Sequence, residues 1–96
     1  MELRVLRYFL TIARKGSITG AATELHLSQP ALSKQLKDLE AEFGKPLLVR
    51  EPRGVALTEG GMLLRRRAQE IVDLADKTEA ELTADEESVE GDVHIG

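Results

Sequence analysis

Ninety-six residues, 42% of them hydrophobic and 31% charged, allow one domain whose core is too small to be very stable unless a partner chain adds burial. The absence of cysteine excludes a disulfide framework and a cysteine-bearing metal site, and no apolar run approaches the roughly 18 residues that span a bilayer. The net charge of −4 hides a division: residues 1–67 hold 12 of the 13 Lys and Arg against 7 acids (+5), and residues 68–96 hold Lys77 against 10 acids (−9), the pattern of a basic binding face with an acidic appendage.

Met1 to Lys15 reads as a first helix with Leu3, Leu6, Phe9, Leu10 and Ala13 inward, and Gly16 suits a left-handed cap. Phe9 belongs to the core. Tyr8 either packs at the surface or touches a phosphate. Ser17 or Thr19 caps the next helix, and either hydroxyl could instead reach a phosphate oxygen, since helix starts favour anions. Ala21, Ala22 and Leu25 form that helix's apolar side, and the two short alanines let another helix cross closely. Leu27 carries the buried side into a turn. Ser28 can accept an orphan N–H of the third helix, and Pro30 falls in its first turn, where a missing donor costs nothing.

Leu32, Leu36, Leu39 and Phe43 recur at steps of four, three and four, one face of a 3.6-residue period. Turning that face inward leaves Pro30, Lys34 and Lys37 outward, with Gln29 and Ser33 on the flank. Gln pairs with adenine, Lys with guanine and Ser with either edge, so the face suits the major groove. Taken alone, it suits an ordinary solvated helix face equally well. Gly44 and Pro46 stop the helix. Leu47–Arg50 and Val55–Leu57 then read as short strands about the turn Glu51-Pro52-Arg53-Gly54. Such a wing commonly meets the DNA backbone or minor groove, with Arg53 the candidate contact. Arg50 either joins it or fixes the wing to the helices.

Thr58 caps a last helix running to about Ser88, a rod of roughly 45 Å. Gly60 and Gly61 occupy its first turn and allow close approach to the body. Leu64, Ala68, Ile71, Ala75, Thr78 and Leu82 follow at alternating steps of four and three, a heptad seam that Val72 and Leu74 widen. A second copy is the natural cover for such a seam, whose spacing does not reveal the polarity of pairing. Arg65, Arg66 and Arg67 could reach phosphates, pair with acids of a mate, or be solvated. Asp85 to Glu90 should fray or hinge.

The ordered run Gly16-Ser17, Ala21-Ala22, Leu25, Ser28-Gln29-Pro30-Ala31-Leu32-Ser33-Lys34-Gln35-Leu36, Leu39-Glu40, Gly44, Pro46-Leu47-Leu48-Val49-Arg50, Arg53, Leu57-Thr58 and Gly61 resembles the N-terminal DNA-binding domain of LysR-type transcriptional regulators. The likeness covers Met1 to about Val89. Three positions depart from the family pattern: Lys34 stands where arginine is more usual, Leu48 where phenylalanine is common, and Gly60 where alanine is usual. The first bears on base preference and the others on packing.

The resemblance implies a mainly α fold: a winged helix-turn-helix with a two-stranded wing over residues 1–58, then a long dimerisation helix over 59–89. Residues 90–96 would be a hinge and the opening strand of an effector-binding domain, so the chain is expected to be a fragment, because a strand without a sheet is not stable alone. Double-stranded DNA is the expected partner, bound at an interrupted inverted repeat through Ser17, Thr19, Ser28, Gln29, Pro30, Ser33, Lys34, Lys37, Arg50 and Arg53. A homodimer would form through antiparallel linker helices, a tetramer in the full-length protein, and a small-molecule effector would act only through the further domain.

His26 and His94 lie far apart without metal-ligand spacing, and neither a phosphate loop nor a nucleophile elbow is present. No cofactor, metal or membrane partner is expected, an enzyme is disfavoured, and the N-terminus, lacking a signal-peptide h-region, points to the cytoplasm. The rival reading is a helical protein-interaction module whose polar faces meet no DNA.

Overall fold

In a computed structural model, which describes residues 1–92 and the side chains of residues 1–84, four helices and one hairpin follow in the order α1 (Leu3–Lys15), α2 (Ile18–Leu25), α3 (Gln29–Phe43), β1 (Leu48–Glu51), β2 (Gly54–Leu57) and α4 (Glu59–Asp92). Capping chemistry marks the joints. Gly16 and Gly44 end α1 and α3 in the left-handed region at φ +69° and +66°. His26 does the same for α2 at φ +58°, a conformation uncommon outside glycine. The N–H of Gly20 donates to Ser17 Oγ at 3.0 Å, that of Ala31 to Ser28 Oγ at 3.2 Å, and that of Gly61 to Thr58 Oγ1 at 3.0 Å. Each of the three expected N-caps therefore satisfies a donor that helix geometry orphans.

α1 is the element the others pack around. Val5, Phe9 and Ile12 join Ile18, Ala21, Ala22, Leu32, Leu36, Leu39 and Leu47 in the main core, while Leu6 faces Ala68 and Val72 of α4. The expected inward set of α1 needs correction. Leu3 is exposed, Leu10 and Ala13 are half-buried, and Val5 and Ile12 take their places. One stripe was assumed, whereas α1 is gripped on two faces, by α2 and α3 on one side and α4 on the other. Phe43, expected inward on α3, is 39% exposed and borders an open apolar groove with Met1, Leu47, Leu63 and Ile71.

β1 and β2 pair antiparallel with Leu48 opposite Leu57 and Glu51 opposite Gly54, leaving Pro52 and Arg53 as the turn. The strands lie within one residue of the expected bounds. One backbone bond fastens the wing to the helices, Val55 N–H donating to Gly16 O at 3.0 Å, and Thr58 N–H closes the base of the hairpin on Leu47 O at 3.1 Å.

α4 extends past the expected Ser88 to Asp92, so the backbone of the acidic run Asp85–Glu90 is helical. The strand proposed for residues 93–96 lies outside the described residues. The expected seam is divided. Ala68 is fully buried by its own α1 and Leu64 packs against both core clusters, so Ala68 is unavailable to a mate. Ile71, Thr78 and Leu82 stay exposed, with Leu74 beside them and Ala75 half-buried. The cause is burial: α1 needed a partner, and the first turns of α4 supply it. Arg7 donates to Asp76 at 2.8 Å, tying the rod to α1 as it leaves the body, and this bond raises the Arg7 pKa.

Candidate nucleic-acid interface

Residues Leu32, Leu36 and Leu39 hold α3 against the core, and at about 100° per residue this sets Pro30, Lys34 and Lys37 on the opposite side. Gln29, Pro30, Lys34 and Lys37 are all exposed. Ser33 is half-buried because it lies on the flank toward the wing. There Ser33 and Lys37 line a notch with Ile18, Leu48, Val55 and Arg50. The fold thereby brings together a serine, a lysine and an arginine from two elements, beside the start of α2. A phosphate at this notch would meet two cations and a hydroxyl, with the Glu40 carboxylate also in the lining.

Lys34 donates to Asp38 at 3.1 Å across one helical turn, an exposed pair that costs little to separate. Arg50 and Arg53 are exposed and form no ion pair among the described residues, so the reading of Arg50 as an ion-paired brace finds no partner there. Ser17 and Ser28 accept helix N–H bonds through their hydroxyl oxygens, which leaves their hydroxyl protons free to donate outward. Thr19 is exposed in the first turn of α2. Tyr8 packs, half-buried, against the main core.

Two of the three consecutive arginines of α4 differ in their surroundings. Arg67 pairs with Glu70 at 2.9 Å, while Arg65 lines a shallow groove with Arg14, Thr11 and Gln69. Glu24 sits between Arg14 and Lys15, whose positive charges hold its carboxyl below the ordinary value, Arg14 most of all.

One residue of the site, Glu40, stands in the family-like run without any role that the sequence assigns to it. Glu40 Oε2 accepts the N–H groups of Leu47 at 2.7 Å and Leu48 at 3.2 Å, joining α3 to the first strand of the wing. Its place in the helical period marks only a flank position, and nothing local reveals that a strand start will lie above it. Among the described residues no group of His, Asp and Glu could hold a metal, and no helix is long and apolar enough to cross a membrane.

Residues 3–62 match the family model of bacterial regulatory helix-turn-helix proteins of the lysR family. The chain is 44% identical over 96 residues to the HTH-type transcriptional regulator BudR of Klebsiella aerogenes, spanning all of this chain and 67% of that protein. It is 50% identical over 76 residues to the Hca operon transcriptional activator HcaR of Escherichia coli (strain K12), spanning 79% of this chain and 26% of that one. Among solved structures, a CbnR DBD–DNA complex superposes with a TM-score of 0.82 at 39% identity, covering 88% of this chain and 97% of the other. A BenM DBD/catB site 1 DNA complex gives 0.84 at 37%, covering 88% and 94%.

Proposed function

We infer function from one premise: the chain belongs to the LysR family of bacterial regulatory helix-turn-helix proteins. It is a DNA-binding domain that recognises operator sequence in double-stranded DNA. The observation that carries this reading is the exposed face of α3, where Pro30, Lys34 and Lys37 stand clear of the core near Arg50 of the wing, which forms no ion pair among the described residues. Gln29, Ser33 and Lys34 read base edges, and Pro30 offers an apolar contact to a thymine methyl. Ser17, Thr19, Ser28, Lys37, Arg50 and Arg53 hold the backbone and fix the register. The work is recognition, without catalysis, and it takes place in the cytoplasm.

The exposed apolar side of α4 pairs with a second copy through Ile71, Leu74, Thr78 and Leu82. That pairing sets the distance between two recognition helices, so the operator is an interrupted inverted repeat. Since the chain spans 67% of one relative above and 26% of the other, an effector-binding domain and a tetramer are proposals for the longer protein. Leu74→Glu should raise the dimer dissociation constant about tenfold or more by placing a charge in a desolvated seam. Sedimentation equilibrium reads this directly, and an unchanged constant would remove Leu74 from the interface.

The test of recognition is selection of bound duplexes from a random pool, followed by substitution. On the selected duplex Lys34→Ala should cost about 1–3 kcal/mol and relax the preference at one base position. Arg53→Ala should weaken many sequences similarly. A chain that selects no sequence, with both variants equal to the parent, would instead favour a protein-interaction module.

A further inference from the structure

Two parts of the DNA-facing surface come from elements with no covalent reason to keep a fixed mutual angle. The reading residues sit on α3. The wing arginines sit on a two-stranded hairpin, a unit that is marginal by itself. Apolar packing seats that hairpin: Leu47 is buried with Leu32, Leu36 and Leu39 of α3, and Leu48, Val55 and Leu57 pack against the same core. Directed bonds add to this. Val55 N–H reaches back to Gly16 O, a bond that does not involve α3. Glu40 of α3 takes both Leu47 N–H and Leu48 N–H on a single carboxylate oxygen, at 2.7 and 3.2 Å.

That oxygen neutralises the two donors at the point where the chain enters β1, and charge-assisted bonds of this kind are roughly twice as strong as neutral ones. Glu40 is also half-buried and lines the same notch as Ser33, Lys37 and Arg50. Leu48 follows directly into the strand that carries Arg50, and the Pro52-Arg53 turn is three residues further on. A small rotation at Leu47 and Leu48 would therefore be magnified at Arg53.

We propose that Glu40 is a positioning residue for DNA recognition: by clamping the base of the wing to the recognition helix, it makes the wing arginines and the α3 face address one duplex in a fixed register. The proposal rests on the DNA-binding reading above. It assigns Glu40 no contact with DNA.

A double-mutant cycle on the 96-residue chain tests it, with affinity for the selected duplex read by fluorescence anisotropy and folding followed by urea titration. In the parent, Arg53→Ala should weaken binding roughly tenfold, the scale of one charge-assisted bond. With Glu40→Ala in place the wing is no longer registered, and the Arg53→Ala factor should fall toward one. Glu40→Gln keeps an acceptor oxygen and should give an intermediate factor, which also serves if Glu40→Ala does not fold. A merely structural role would lower the urea midpoint yet leave the Arg53→Ala factor unchanged in both backgrounds, and that result overturns the proposal. A parent chain that binds no duplex overturns the DNA-binding reading itself, a visibly different failure.

Discussion

Gly61→Ala should lower the thermal midpoint by roughly 12 °C or more, corresponding to a loss of about 3 kcal/mol or more in a domain of this size. Gly60→Ala, one residue earlier, should leave it unchanged or raise it slightly. Both glycines lie in the first turn of α4, and by helix propensity alone either substitution should help by up to about 1 kcal/mol. Their surroundings separate them. A Cβ on Gly60 would meet Pro46 O at 3.6 Å and Thr58 Oγ1 at 3.7 Å, ordinary contact that fills open space. A Cβ on Gly61 would fall well inside contact distance of Leu47 O and within 3.3 Å of Leu57 Cβ. Leu47 O cannot retreat freely, because it accepts the Thr58 N–H, and the N–H of the same residue is held by Glu40. The helix must move off the wing base, losing the Thr58 bond and opening the contact between α4 and the hairpin. Differential scanning calorimetry of the two variants checks this. Equal midpoints would mean that α4 does not approach the wing as closely as the structure places it.

Raising salt from 50 to 200 mM should weaken binding to the selected duplex about 10³-fold, with a log–log slope of roughly −5. The slope follows from Lys37, Arg50 and Arg53, three exposed cations in each of two protomers, each displacing about one condensed counterion per phosphate. The acidic C-terminal segment of the chain works the other way. Its net charge of −9 in residues 68–96 repels DNA at low salt, and screening would relieve that repulsion as salt rises. Counterion release should dominate, since the three cations are proposed to sit against phosphate while α4 leaves the body as a rod, in a molecule 61 Å along its longest axis. Lys37→Ala should flatten the slope by about one per protomer. Anisotropy titrations at four salt concentrations give the slope. A value near zero, or affinity that improves with salt, would mean that the acidic C-terminal segment governs the encounter and that the three cations do not meet phosphate.

These two results probe different levels of legibility. The three capping hydroxyls, the glycine stops and the Leu32, Leu36, Leu39 stripe are local: each depends on residues within one or two turns, so their types and spacing suffice to predict them. The outward face of α3 follows at once, because a helix with one side buried has no choice about the other. Wing bounds could be placed within a residue for the same reason, Pro52 and Gly54 being turn residues whatever surrounds them.

Elsewhere an assignment depended on which neighbour arrived first. Ala68 and Leu64 carry the right period for a seam, yet period cannot say whether the apolar side meets a mate or the same chain's α1. Phe43 has the right spacing for a core residue and instead borders an open groove beside Leu47 and Leu63. Gly60 and Gly61 are the same residue type in the same turn, divided by the carbonyl of Leu47. Glu40 shows the difference most sharply, as an unremarkable flank carboxylate until the chain returns seven residues later with two unpaired N–H groups. The sequence by itself determined the helices, their caps, the hairpin and the polar reading face, since those rest on short-range geometry and orphaned backbone groups. Only the tertiary structure decided how the wing is aimed and which apolar residues remain for a partner, because burial and backbone closure are settled between elements distant in the chain.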